Sequence, residues 1–196
     1  MAYTGRTGIK RYSFGLKTTM EIHGSISIGN KSYSKGDVIA WYHVYPFFLI
    51  HMLMFGGSGF LMAYVQNGPP TFFLFLHGGF AIAIYTVFYI TIFGRDEVKW
   101  MFINAGLGLL GIWSQIDWML SLVGKHIGDY PLYRHVVPFL YYVLYTFLLR
   151  NAVLDITNCR EDDNRKRVVD NAYMIISVAV YAVSCLLRKT HAWPWG

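Results

Sequence analysis

His77, Gln115, Asp117 and Tyr141 lie inside stretches of sequence that are otherwise apolar. An acid at the centre of a membrane span costs about 2.5–3.5 kcal/mol, so a chain that keeps one there has a partner or a use for it. Imidazole and carboxylate together could relay a proton. They could equally hold the polar head of a ligand such as a quinone, with Tyr141 and Gln115 as further hydrogen-bond donors. The competing expectation is that His77 and Asp117 satisfy one another and pin a helix bundle.

Other chemistries find less support. A b-type haem needs two histidines at one depth, and counting from the first turn separates His51 from His77 by roughly 13 Å of helical rise. His126, Asp129, His135 and His191 share one end of the chain's spans without the spacing of a helix-borne metal motif, and His23 and His43 stand apart from them. No metal site is predicted. Ser58 sits in a Gly-Gly-Ser-Gly run that lacks the strand-to-helix setting of a nucleophile elbow. No cofactor is predicted: bound lipid is expected, a quinone is admissible and haem b is disfavoured. The two cysteines, Cys159 and Cys185, form no ligand or disulfide pattern.

The elements that must position these residues are apolar runs. Hydrophobic residues make up 55% of the 196 and charged residues 14%, against about 25% charged in a soluble domain. Runs long enough to cross a bilayer occur at Ile39–Gln66, Thr71–Phe93, Met101–Val123, Val136–Leu154 and Val169–Leu187. The expected fold is an all-α integral membrane protein with about five transmembrane helices. The count falls to four if Arg150, Asn151 and Asp155 stop the fourth run from crossing. Pro46 is expected to bend the start of the first run or to leave it in the interface.

Residues 1–37 read as a basic N-terminal arm followed by a surface β-hairpin over 18–37, with Gly29-Asn30 at its tip. Residues 38–190 form the helical bundle, and 191–196 a tail. No signal peptide is expected, because the first apolar run starts late and has no small-residue cleavage site. The polar segment Thr157–Arg167 mixes both signs of charge and reads as a solvated face.

Most Lys and Arg residues fall in the N-terminal arm, at Arg95 and Lys99, and between Arg150 and Arg167, with Lys125, Arg134, Arg188 and Lys189 on the other side. That asymmetry predicts an inside N-terminus and an outside C-terminus, in a bacterial or mitochondrial inner membrane. It also accounts for the net charge of +6 through anionic lipid, without nucleic acid.

Glycines mark where the spans should meet. Equal steps from the first turn set Gly56, Gly57 and Gly59 opposite His77, Gly78 and Gly79, which predicts a close crossing of the first two spans. The same count sets Asp117 level with both His77 and Tyr141. On the third span Asn104, Gly108, Gly111 and Gln115 form one stripe, and Gly106, Trp113, Asp117 and Ser121 form a nearly opposite one. A helix with two non-lipid faces should be surrounded by protein. The expected function is therefore a non-catalytic subunit of a multi-subunit membrane complex, energy-transducing or transport-related, with lipids and other subunits as partners. The alternatives are a self-sufficient transporter or channel, as a homo-oligomer, and a quinone- or lipid-handling membrane enzyme.

Overall fold

A computed structural model describes residues 19–28, 30–160 and 162–190. The basic arm before Thr19 and the tail from His191 lie outside the described residues.

The segment read as one hairpin forms two nested antiparallel pairs. β2 (Ile26–Ile28) pairs with β3 (Lys31–Tyr33), setting Ser27 opposite Ser32 with hydroxyls 2.9 Å apart. β1 (Thr19–Glu21) pairs with β4 (Val38–Ala40), and Met20 and Ile39, which face each other across that ladder, are both buried. An isolated hairpin is marginal in water. This one is tied to a helix end: the His23 backbone N–H donates to the Thr91 carbonyl at 3.0 Å and the ring Nδ1–H to the Ile92 carbonyl at 3.0 Å.

β4 runs directly into α1 (Trp41–Tyr64), which contains Pro46. Asn67 at φ 56° and the following Gly-Pro-Pro reverse the chain into α2 (Thr71–Phe93). Gly94, at φ 92°, then turns it again. A side chain is disfavoured there twice, by the left-handed backbone and by the His23 ring 3.2 Å from where a Cβ would stand. α3 (Arg95–Leu107) and α4 (Leu109–Ser121) follow, then two short 3-10 turns, α5 (Val136–Ile156) and α6 (Asp163–Thr190). Asp162 caps α6, its Oδ1 accepting the backbone N–H groups of Asn164 and Arg165 at 3.0 and 3.2 Å.

Among the described residues, three segments are long and apolar enough to cross a membrane: Trp41–Tyr64, Thr71–Phe93 and Leu132–Ile156. The third includes the run that Arg150, Asn151 and Asp155 threatened to interrupt. The run read as a single third span is instead two helices separated at Gly108, whose φ of −88° and ψ of 7° leave the helical region. Hydrogen bonds still carry across the break, from Gly108 N–H to Asn104 O at 2.8 Å and from Ile112 N–H to Gly108 O at 3.0 Å. Glycine's conformational freedom makes this the weakest point of the run.

The core is built around α5, which packs against both α1 and α2. α1 and α2 do meet, with Ser58 2.9 Å from His77, but Gly56, Gly59 and Gly78 face α5 rather than one another. A Cβ on Gly59 would stand 3.0 Å from the Tyr141 ring and 3.6 Å from Val137 Cγ1, and one on Gly56 would meet Tyr141 at 3.7 Å. A Cβ on Gly78 would stand 2.3 Å from Val137 Cγ1. Gly56, Gly59 and Gly78 thus line a trough into which α5 inserts Val137 and Tyr141, one helical turn apart. Gly57, Gly79 and Gly111 have nothing within 4 Å of a Cβ position, and Gly108 serves at the helix break. Towards the strand end of the bundle the trough is filled by rings, with Tyr89, Phe93 and Phe147 within 5.4–5.7 Å of one another.

Candidate functional site

A groove of about 300 Å³ between α1 and α2 is lined by Phe55, Leu76, His77, Phe80, Ala81, Ile84 and Tyr85. Its polar centre is His77, whose Nε2 lies 2.9 Å from Ser58 Oγ. The same Ser58 hydroxyl donates to the Phe55 carbonyl of its own helix at 2.8 Å. Either group can be the donor in this pair, according to the imidazole tautomer. The ring is held by Phe55, 5.6 Å away and inclined at 31°.

Asp117 belongs to another part of the molecule. It is 4% exposed near the end of α4; its Oδ1 accepts the Ile127 backbone N–H at 2.8 Å and stands 3.8 Å from His126 Nδ1. The expected pairing of His77 with Asp117 is therefore replaced by two separate arrangements. The physical reason is α5, which packs against both α2 and α4, whereas α2 and α4 are not among the closely packed helix pairs. Gln115 is buried on α4 beside Ile116 and Asp117. Tyr141 is buried against the α1 glycines, and its hydroxyl has no hydrogen-bond partner among the described residues. Of the predicted set, Gln115 and Asp117 share α4, while His77 and Tyr141 flank the glycine trough.

Asp117 acts on the chain reversal that follows α4. Asp117→Ala strands the Ile127 N–H in the interior and is expected to lower stability by about 1–3 kcal/mol. Asp117→Asn keeps an accepting oxygen and should cost clearly less, as read by thermal unfolding in detergent.

The same end of the bundle is closed by a polar lattice around Tyr64. Its hydroxyl meets His135 Nδ1 at 2.8 Å, and its carbonyl accepts Lys125 Nζ and the Tyr130 hydroxyl, both at 2.7 Å. Trp113 stands edge-on to His135 at 4.9 Å.

The opposite end holds a cluster that the sequence reading treated only as interruptions. Asn151 and Asp155, one turn apart on α5, are both buried. Arg160 donates to Asp155 through Nε at 2.5 Å and Nη2 at 3.0 Å, and to Asn151 Oδ1 at 2.9 Å. Tyr45 of α1 donates to Asp155 Oδ2, the oxygen that also accepts Arg160 Nη2. Burial works against the charge on Arg160, but the hydrogen bond and charge of Asp155 outweigh it and hold the guanidinium pKa above its ordinary value. Beside it Arg150 grips Asp170 with two hydrogen bonds of 2.6 and 3.0 Å and lies 3.7 Å from Glu97, which Lys166 approaches at 3.4 Å. Arg160 and Lys166 come from the segment expected to be a solvated face. They instead bind α3, α5 and α6 together at one end.

A second cavity of about 290 Å³ opens between this cluster and the strands, lined among others by Glu21, His23, Asp155, Asn158 and Arg160. Asp155 and Arg160 in its wall are already paired with each other, which makes that wall a fastening. The His77 groove differs in being walled by apolar and aromatic side chains apart from the His77 ring and Tyr85. The available signal for the cluster was the spacing of Asn151 and Asp155 on one helix face; no comparable signal marks Arg160. No protein-family model, curated protein or solved structure matches this chain, so a functional reading rests on these residues alone.

Proposed function

We propose that the chain is a non-catalytic subunit of a larger membrane assembly of the energy-transducing or transport kind. The observation that carries this is Asn104: an exposed amide in the last turn of α3. On the following helix Gly111 has open space at its Cβ position. In a bilayer an outward amide lacks water to bond, and small and polar residues mark the faces where helices meet other helices. α6 supports the same reading, because every described side chain from Asn171 to Val183 is exposed although the helix packs on α4 and α5. In this proposal α3 with α4, and α6, complete five crossings. The N-terminus and the basic ends of α3, α5 and α6 lie inside, against anionic lipid.

The test is purification of the full chain in mild detergent. Unrelated subunits in fixed ratio are expected, and Asn104→Leu should release them while leaving the thermal unfolding of the chain itself within about 0.5 kcal/mol, the usual range for a surface substitution. A chain that purifies alone as a homo-oligomer, unchanged by Asn104→Leu, would contradict the reading and favour a self-sufficient transporter.

A further inference from the structure

We propose that Lys125 and Arg134 hold the phosphate of an anionic phospholipid at the Tyr64 end of α1. The inference goes beyond the subunit reading and uses neither Asn104 nor α6. Three observations carry it.

The first is a charge imbalance. Among the described residues, the half-buried lysines and arginines are Lys125, Arg134, Arg150, Arg160 and Lys166. Arg150, Arg160 and Lys166 each meet a carboxylate. Lys125 and Arg134 meet main-chain oxygens instead: Lys125 Nζ donates to the Tyr64 carbonyl at 2.7 Å and Arg134 Nη1 to the Ala63 carbonyl at 3.3 Å. The acids of this end serve the main chain, Asp117 accepting the Ile127 N–H at 2.8 Å and Asp129 the His126 N–H at 2.7 Å. A helix C-terminus offers roughly half a negative charge. Two full positive charges stand against it, and the excess calls for an anion.

The second is convergence. Ala63 and Tyr64 are consecutive residues in the last turn of α1, so their carbonyls gather both cations at one helix end. An ammonium and a guanidinium keep further N–H donors after one carbonyl bond. A phosphate, with several accepting oxygens, is the anion that uses donors of both kinds at once.

The third is surroundings. α1 is long and apolar enough to cross a membrane, and its final carbonyls mark where the chain leaves that apolar stretch. Leu122 and Val123, just before Lys125, are both 64% exposed, and Leu132, just before Arg134, is 70% exposed. Cations flanked by outward apolar side chains suit a ligand with a charged head and acyl chains, whereas a soluble anion leaves those side chains uncovered. A zwitterionic head brings a cation of its own to the two already present, so an anionic lipid is selected.

The experiment is equilibrium binding of dioctanoyl phosphatidylglycerol and dioctanoyl phosphatidylcholine to the full chain in an uncharged detergent, with inorganic phosphate as competitor. Saturable phosphatidylglycerol binding is expected, with phosphatidylcholine weaker by about tenfold, the equivalent of one charge-assisted contact. Glutamine keeps an N–H for the carbonyl and carries no charge, so joint Lys125→Gln and Arg134→Gln should bring phosphatidylglycerol down to the phosphatidylcholine level. Each single change should remove about threefold. Lys99→Gln, which removes an exposed cation on α3, should change nothing. The ratio between the two lipids is read on the unmodified chain, so the proposal stays testable even if the double variant fails to fold. Equal affinity for the two lipids, or undiminished phosphatidylglycerol binding to the folded double variant, would overturn it. So would displacement by an equal concentration of inorganic phosphate, which gives the site to a free anion, or lipid binding only after a copurifying protein is stripped away, which gives the two cations to that protein's carboxylates.

Discussion

Arg160→Ala is expected to lower the stability of the chain by about 2–3 kcal/mol, read by thermal or denaturant unfolding in detergent. A fully buried ion pair that loses one partner costs roughly 3–5 kcal/mol. The figure here is smaller because the Arg160 side chain is 30% exposed while Asp155 is only 6%. The loss has a clear source: the Asp155 carboxylate stays in the interior with the Tyr45 hydroxyl as its remaining side-chain donor, and the Asn151 oxygen loses its guanidinium donor. Phe93 also loses the cation 5.8 Å from its ring. Arg160→Lys should recover part of the loss, since an ammonium keeps the charge but cannot reproduce a fork bonded to two side chains. Joint replacement, Asp155→Leu with Arg160→Met, should cost much less than the sum of the single changes, because no buried charge is left behind.

Gly78→Ala is the second large effect, about 1–3 kcal/mol of destabilisation through overpacking. The added methyl would lie 2.3 and 2.8 Å from the two γ-carbons of Val137 and 3.1 Å from its Cβ. A β-branched side chain on a helix has one strongly preferred rotamer, so Val137 cannot swing aside and α5 itself must retreat. Gly79→Ala is the matched control. It has nothing within 4 Å and should be neutral or stabilising by up to about 1 kcal/mol through helix propensity. Unequal effects at adjacent glycines of one helix would separate the demand for a close approach from the general weakness of glycine in helices. Unfolding of both variants under one set of detergent conditions gives the comparison.

Much of the helical layout is legible in the residues. α2 runs over Thr71–Phe93, as its apolar run predicts, because Gly-Pro-Pro before it and Gly94 after it leave little freedom. α1 and α5 likewise match their runs to within two residues at each end. The inner ladder of the N-terminal segment follows from Ile26 to Tyr33, whereas the pairing of Thr19 with Ala40 joins residues too far apart in sequence for any local turn signal. Which helix fills the space between two others was not legible either. Matching depths from turn to turn finds which residues lie level but not which faces meet: α1 and α2 do touch, at Ser58 and His77, while the glycine faces of both helices are taken by α5. Its depth was recoverable, since Tyr141 does lie level with the glycines, but its neighbours were not. His77 therefore meets Ser58 across the α1–α2 contact, and Asp117 accepts the Ile127 N–H. The polar cluster around Asp155 escaped for a different reason: a charged residue at a helix end looks the same in sequence whether it is solvated or buried, and only its partner decides.

The insertion of α5 against the glycine faces of α1 and α2 organises the core, and a disulfide measures it most directly. With Cys159 and Cys185 replaced by serine, Gly59→Cys is paired either with Val137→Cys or with Gly79→Cys and oxidised mildly in the membrane. A Cβ at Gly59 stands 3.6 Å from Val137 Cγ1, while one at Gly79 meets nothing within 4 Å, so cross-linking is expected for the first pair and not for the second. A bond at Gly59 and Gly79 with none at Gly59 and Val137 would mean that α1 and α2 close on each other without α5.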